Sequence, residues 1–272
     1  VKYRIHHQTV YRYDEPVHHS VHELRLTPQS GPLQQVEAWQ MRVPGTLHDT
    51  VDAFGNLVQT FSLARPASQL LIEATGVVEV PGREAVFQDA PPPGQYRVSP
   101  LYYASGTPLT YAPPDMVGFA APYLAAGVIP EALESLVAAI AERVQYVSNT
   151  TDVGTTAAEA FSLGMGVCQD QAQVMVACCR AFGIPARYVS GYFHAADAPN
   201  LASHAWADVC LDATQHRWIS LDITHACPTD HRHVRLAVGR DYQSAAPIRG
   251  VRQGGGGESM DVSIRIDVID DL

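Results

Sequence analysis

Gly164-Met165-Gly166-Val167-Cys168-Gln169-Asp170 sets a thiol where a glycine-bearing loop turns into a helix. After it, Ala172, Met175, Val176, Cys179 and Phe182 recur at helical spacing, and Gly183 followed by Pro185 supplies the stop. Cys168 therefore falls in the first turn of a buried helix, where backbone N–H groups lack intrahelical partners and the dipole favours negative charge. A thiol is only a few per cent ionised at neutral pH, because its reference pKa is about 8.5, so a nucleophilic cysteine needs such help.

A base is the second requirement. Between Ser203 and Leu211, His204, Trp206, Asp208 and Cys210 alternate with Ala205, Ala207 and Val209, the pattern of a strand with His204 and Trp206 on one face. Trp218 to Thr224 alternates likewise, with Trp218, Ser220, Asp222 and Thr224 sharing a face. If Asp212 to Arg217 hold the turn of a hairpin, one allowed register sets His204 directly across from Asp222, with Cβ atoms about 5 Å apart. A slip of one residue would put them on opposite faces. In the favourable register the carboxylate accepts one imidazole N–H while the other ring nitrogen faces the thiol.

Each residue alone has an ordinary explanation. Buried cysteines such as Cys178 and Cys179 are small hydrophobes, a strand histidine is usually a satisfied structural group, and an aspartate at a strand end is usually a cap. Agreement of the three in chain order, face and helix-start position favours a cysteine–histidine–aspartate arrangement.

These segments resemble the bacterial transglutaminase-like proteins of the papain-like cysteine-enzyme superfamily. The likeness is carried by Gly166-Val167-Cys168-Gln169-Asp170, Gly183-Ile184-Pro185-Ala186-Arg187-Tyr188-Val189-Ser190-Gly191-Tyr192, Ser203-His204-Ala205-Trp206 and Trp218-Ile219-Ser220-Leu221-Asp222. It extends to Tyr3-Arg4-Ile5, Tyr11-Arg12-Tyr13, Glu23-Leu24-Arg25-Leu26-Thr27-Pro28 and Asp52-Ala53-Phe54-Gly55-Asn56, which look like that family's β-rich leading domain. Gly239-Arg240-Asp241-Tyr242, Pro247-Ile248-Arg249-Gly250 and Gly254 to Gly257 resemble its closing segment. The resemblance implies Cys168 as nucleophile, His204 as general base and Asp222 as orienting acid, with no cofactor. Gln171 and Gln173 stand where the family often has an aromatic and a histidine, and Asp222-Ile223-Thr224-His225 stands where it often reads Asp-Pro-Thr-Asn. These departures bear on the cleft beside Cys168, for which Gln169, Gln171 and Trp206 are the candidate substrate-binding residues.

The expected fold is α+β: a papain-like, transglutaminase-like core in which the helix bearing the cysteine meets an antiparallel sheet face carrying the base, preceded by an all-β domain. Residues 1–85 read as short strands of a β-sandwich or small open barrel, from Ile5–Tyr13, Val21–Leu26, Gln35–Val43, Leu57–Leu63 and Leu70–Val80 between turn signals. Residues 86–115 are a proline-rich connection, 116–230 the core and 231–272 a C-terminal segment. Its alternating Met260 to Val268 is expected to pair with the β-domain.

In the core, Leu133, Leu136, Val137, Ile140 and Val144 mark a helix from Glu131 to near Tyr146, and Thr156 to Leu163 a shorter one.

Composition sets outer bounds. At 272 residues the chain can bury a full core. Eighteen basic against twenty-eight acidic residues give a net charge of −10 without a basic stripe, which excludes a phosphate-backbone binder. Five cysteines, an odd number with no Cys-x-x-Cys spacing, argue against a disulfide framework and for a reducing, cytoplasmic compartment. Phe119 to Val144, the most apolar stretch, is broken by Pro122, Pro130, Glu131 and Glu134, so no membrane span is expected.

The favoured activity is acyl transfer through a thioester on Cys168, cleaving an amide or peptide bond of a peptide or protein substrate, as in a cysteine protease or amidase. The alternatives are a transglutaminase with an amine acceptor and a catalytically silent peptide-binding module. Twelve histidines, with His225-Ala226-Cys227 near His231-Arg232-His233, raise a zinc site, but their scatter weighs against metal. The first oxyanion donor expected is the Cys168 backbone N–H.

Overall fold

Strand β1 (Lys2–Leu24) runs unbroken for 23 residues in the computed structural model, which describes residues 1–63, 65–81, 85–195 and 203–269. The sequence reads as two strands there because Asp14, Glu15 and Pro16 interrupt the alternation. The chain bends instead of turning back. Strands β2 (Gln35–Arg42), β3 (His48–Val51), β4 (Leu57–Ser62) and β5 (Ala67–Glu79) follow. The first half of β1 pairs with β5 and the second half with β4, with a register shift against β5 between Arg12 and Val17. Such an irregularity re-aims a strand without ending it.

The segment expected as a plain connection contributes structure to the core. Strand β6 (Val86–Gln88) joins the second sheet, and helix α1 (Pro114–Leu124) precedes helix α2 (Pro130–Arg143). Met116, Ala120 and Leu124 are buried at a four-residue spacing in α1, and Pro114 at its first position needs no N–H partner. Strand β7 (Gln145–Tyr146), helix α3 (Ala157–Leu163) and strand β8 (Met165–Gly166) lead into helix α4 (Cys168–Ala181). Thr156 caps α3 in a reciprocal box with Glu159, and Gly164 closes it at φ 75°, a left-handed position that favours glycine.

After α4 come β9 (Ala186–Phe193), β10 (Ser203–Asp212), β11 (Arg217–Asp222), β12 (Cys227–Pro228) and β13 (His233–Gly239). They form an antiparallel sheet in the order β12-β11-β10-β9-β13, with β6 also paired to β11. A short helix, α5 (Tyr242–Ala245), precedes β14 (Ile248–Gly254) and β15 (Glu258–Ile269). Both closing strands return to β1: β15 pairs with its first half and β14 with its second. The β-rich region is therefore one seven-stranded sheet organised on the bent β1, where two separately packed sheets were one of the expected forms. Residues 270–272 of the expected C-terminal segment lie outside the described residues.

Helix α4 is enclosed from Asp170 to Arg180. Its Val174, Met175 and Ala177 share a core with Met116, Leu136 and Ile140 of the outer helices and with Ala207, Val209, Ile219 and Leu221 of the sheet. Burial of each large side chain there contributes about 1.5–3 kcal/mol. The flank of α4 thus covers the face opposite to that of His204. Trp206, from the His204 face, packs with Val189, Val238 and Phe54 toward the β-rich region. Tyr192, Val234 and Leu236 complete the core of the first sheet.

Candidate active site

Cys168 is the first residue of α4, and the chain before it is held on both sides. Gln145 and Tyr146 bridge in parallel to Met165 and Gly166, and the Val147 N–H donates to the Gly166 carbonyl at 2.8 Å. Asp170, two residues into the helix from the thiol, reaches back to accept the Val167 N–H at 2.8 Å and the Thr151 hydroxyl at 2.6 Å, both on Oδ2. Burial pushes its carboxyl up, and the two hydrogen bonds oppose that. The half-buried thiol is presented at a braced helix start, where the dipole favours a developing anion.

The imidazole of His204 lies between thiol and carboxylate. Its Nε2 donates to Asp222 Oδ2 at 2.8 Å, a tautomer assigned from that partner, and the Cys168 side chain is near enough to favour its protonated form. Burial pulls the imidazolium down, but hydrogen bonds to Asp222 and Cys168, with their charges, hold its pKa up at about 10. Asp222 is fully buried. Burial pushes its carboxyl up, yet hydrogen bonds from His204, His225 and His233 hold it well below the usual carboxylate range.

The register differs from the one drawn from sequence. Ala207 pairs with Leu221 and Asp208 with Ser220, so continuing the ladder sets Trp206, not His204, across from Asp222. His204 lies on the diagonal of the same face. Diagonal Cα atoms stand about 7–8 Å apart, a gap the imidazole ring spans.

Two further histidines converge on the carboxylate. His225 Nδ1 donates to Asp222 Oδ2 at 2.7 Å, its backbone N–H donates to Oδ1 at 3.2 Å, and its ring stacks on Phe193 with centroids 4.2 Å apart. His233 Nε2 donates to Oδ2 at 2.8 Å. Sequence reasoning assigned neither to this carboxylate, nor Asp170 to the thiol loop. For Asp170 the signal is present, since an acidic residue at the third helical position reaches back over the helix start. For His225 and His233 it is absent, because they meet Asp222 from a turn and a separate strand.

The proposed cleft residues fall in different places. Gln169, next to the thiol, is half-buried and its amide is 3.5 Å from the Val153 carbonyl. Gln171 is buried and fully engaged: its amide donates to the Val144 carbonyl and its oxygen accepts from Thr224 Oγ1, both at 2.7 Å. In these two contacts it ties the end of α2 to the turn after Asp222. Trp206 is 1 % exposed and lines a cavity of about 1030 Å³ shared with Gln34, Phe87, Asp230, His233 and Arg235. That cavity lies on the face toward the β-rich region, away from the flank of α4. Tyr146 stands beside the thiol, and burial followed by the Cys168 sulfur pushes its phenol up.

His204, Asp222 and His225 offer ligand atoms within 4.8 Å of one another, the geometry a metal reading needs. Those atoms are already hydrogen-bonded at 2.7–2.8 Å. Tetrahedral zinc at 2.0–2.1 Å from each ligand would spread them to about 3.3 Å. The set fits a carboxylate shared by imidazoles better than a metal centre. No helix among the described residues is long and apolar enough to cross a membrane.

Comparison with known proteins gives a consistent assignment. Residues 3–79 match the bacterial transglutaminase-like N-terminal region, and residues 122–223 match the transglutaminase-like superfamily. Uncharacterized proteins of Mycobacterium tuberculosis and Mycobacterium leprae are each 29% identical, over 299 and 285 residues. The alignments cover 98% of this chain and 92% of the first relative, and 97% of this chain and 97% of the second. Among solved structures, "a Putative Cysteine Protease from Cytophaga hutchinsonii" superposes with a TM-score of 0.78 at 19% identity, covering 100% of this chain and 91% of that one. That likeness is one of fold.

Proposed function

For a chain that joins a bacterial transglutaminase-like N-terminal region to a transglutaminase-like superfamily core, we propose the activity of a cysteine hydrolase that cleaves amide or peptide bonds through a thioester on Cys168. The observation that carries this reading is His204, hydrogen-bonded through Nε2 to the buried Asp222 and electrostatically coupled to the Cys168 thiol at the helix start. A module that only binds peptides has no need of it.

With its pKa held up at about 10, His204 already carries the thiol proton, and the Cys168 thiolate attacks the substrate carbonyl carbon. The carbonyl oxygen becomes an oxyanion, stabilised by the Cys168 backbone N–H at the helix start. On collapse, the C–N bond breaks and the imidazolium gives its proton to the leaving amine. His204 then removes a proton from water, which attacks the thioester. Release of the acid returns the proton to the thiolate–imidazole pair. Asp222 stays ionised throughout and stabilises each imidazolium.

Water is favoured as acceptor because the thiol is only half-buried and Tyr146 and Val153 around the loop are exposed. An amine acceptor would gain from a cleft that excludes water. The substrate is a peptide or protein. Five free cysteines fit a reducing compartment, so we place the enzyme in the cytoplasm.

The test is a glutamine-containing peptide library incubated with the protein and a labelled primary amine, read by mass spectrometry. New peptide ends or released ammonia, absent with Cys168→Ala, are the expected result. Amine incorporation exceeding hydrolysis would make the protein a transglutaminase. No product of either kind, together with Cys168 alkylation at pH 6 unaffected by His204→Ala, would leave a binding module.

A further inference from the structure

Asp222 is the last residue of β11, where the strand gives way to a turn. Its Oδ2 accepts from His204 on β10, from His225 in that turn and from His233 at the start of β13. His233 is as enclosed as His204, and His225 is the open member of the three. His233 is 6 % exposed, with its ring edge-on to Trp206 and Phe193 at centroid distances of 5.3 and 4.9 Å. Its Nε2 donates to Asp222 at 2.8 Å, while its Nδ1 lies 3.1 Å from the Asp230 N–H. Nδ1 is also 3.2 Å from Asp230 Oδ1 and 3.4 Å from the Asp230 carbonyl, so Nε2 donates to Asp222 while Nδ1 takes its partner from Asp230, with or without a proton of its own. Asp230 is in turn gripped by Arg232 through contacts of 2.6–3.0 Å.

We propose that His233 is a positioning residue: anchored through Asp230 and Arg232, it fixes the rotation of the Asp222 carboxylate and so the aim of His204 at Cys168. This rests on the hydrolase reading of the site. A carboxylate with one partner turns freely about its last torsion, and a shift of about 1 Å in a reacting group can cost about a hundredfold in rate. Donors arriving from three elements remove that freedom. The groups facing this cluster are Cys168 from α4, His204 from β10, Asp222 from β11, His225 from the turn, Cys227 from β12, and Asp230, Arg232 and His233 at β13.

Two polar substitutions separate positioning from mere bracing. His233→Gln carries an amide nitrogen near the place of Nε2, and His233→Asn carries one near the place of Nδ1. With iodoacetamide as probe at pH 6, His233→Gln should label Cys168 within about threefold of wild type, and His233→Asn about ten- to a hundredfold more slowly. The His204 imidazole, followed by NMR, should keep its titration midpoint in the Gln variant and fall toward 6.5 in the Asn variant. The reverse ranking, or two folded variants indistinguishable from wild type, would overturn the proposal. If His233→Asn fails to fold, nitrogen NMR of the wild-type ring decides: a proton on Nε2 supports the assignment and an Nε2 without one overturns it. His204→Ala is run in parallel. If it labels like wild type, the hydrolase reading falls and this inference with it; if it is slow and His233→Asn is not, only the inference falls.

Discussion

A Cβ added to Gly166 would stand 2.6 Å from Asp170 Oδ2. The loop before the nucleophile and the carboxylate that braces it are in direct contact, and only a residue without a side chain lets Asp170 reach the Val167 N–H. Gly166 has an ordinary backbone conformation, so its requirement is one of space and not of torsion. Gly166→Ala should displace Asp170 at a cost of about 1–3 kcal/mol and slow alkylation of Cys168. Urea unfolding and labelling kinetics on the same sample check both parts.

Stability should respond to pH from two directions. Burial lowers the His204 pKa, but Asp222 and Cys168 raise it to about 10, above the unfolded value of about 6.5. Its contribution is full below pH 6.5 and lost as pH rises through about 10. Asp222, Asp208 and Asp230 are held below the ordinary carboxylate range against their burial, so their contribution is full above about pH 3.9 and lost as pH falls further. Scanning calorimetry should show a plateau between these limits, with His204→Ala flattening the alkaline slope and, through the donor lost to Asp222, softening part of the acid slope.

Behind the site, Arg187 is enclosed between Asp208 at 2.8 Å and Asp89 at 2.7 Å, with its guanidinium 4.2 Å from the Trp218 ring centre. Asp208 also takes Arg235 in a two-point contact. Arg187→Met would leave the buried Asp208 and the half-buried Asp89 each short of a cation and should cost about 3–5 kcal/mol. Replacing Asp208 by Asn in the same background should recover part of it. Denaturant midpoints at pH 7 are the measurement.

Gln171 links the end of α2 to the turn after Asp222 through the Val144 carbonyl and Thr224. Gln171→Leu should cost about 1–3 kcal/mol, the expense of unpaired buried groups. Thr224→Val should add less than its separate cost in the double variant, because the two share one hydrogen bond. A double-mutant cycle by thermal unfolding tests this. A substrate-binding Gln171 would instead change KM and leave the melting temperature alone.

Helix α4 could be read closely from its apolar spacing and its Gly183 stop, and β10 and β11 from strict alternation. The same signals failed where local pattern and tertiary use diverge. Pro16 suggested a break in β1, yet a strand flanked by β5 and β15 on one half and β4 and β14 on the other can bend through it. Val86 to Gln88 carries too few residues to declare itself a strand, and becomes one by pairing with β11. Helix α1 was missed although Pro114 and the spacing of Met116, Ala120 and Leu124 announce it.

By itself the sequence determined the α+β class, the helix start under Cys168 and the two alternating strands that carry His204 and Asp222, because all of these follow from helical and strand periodicities along a few neighbouring residues. Tertiary structure alone decided that His204 meets Asp222 on a diagonal, that Gln171 is a tie and that His225 and His233 share the carboxylate. Register, and the approach of side chains from separate strands and turns, are set by how whole elements pack. No local period in the chain encodes them.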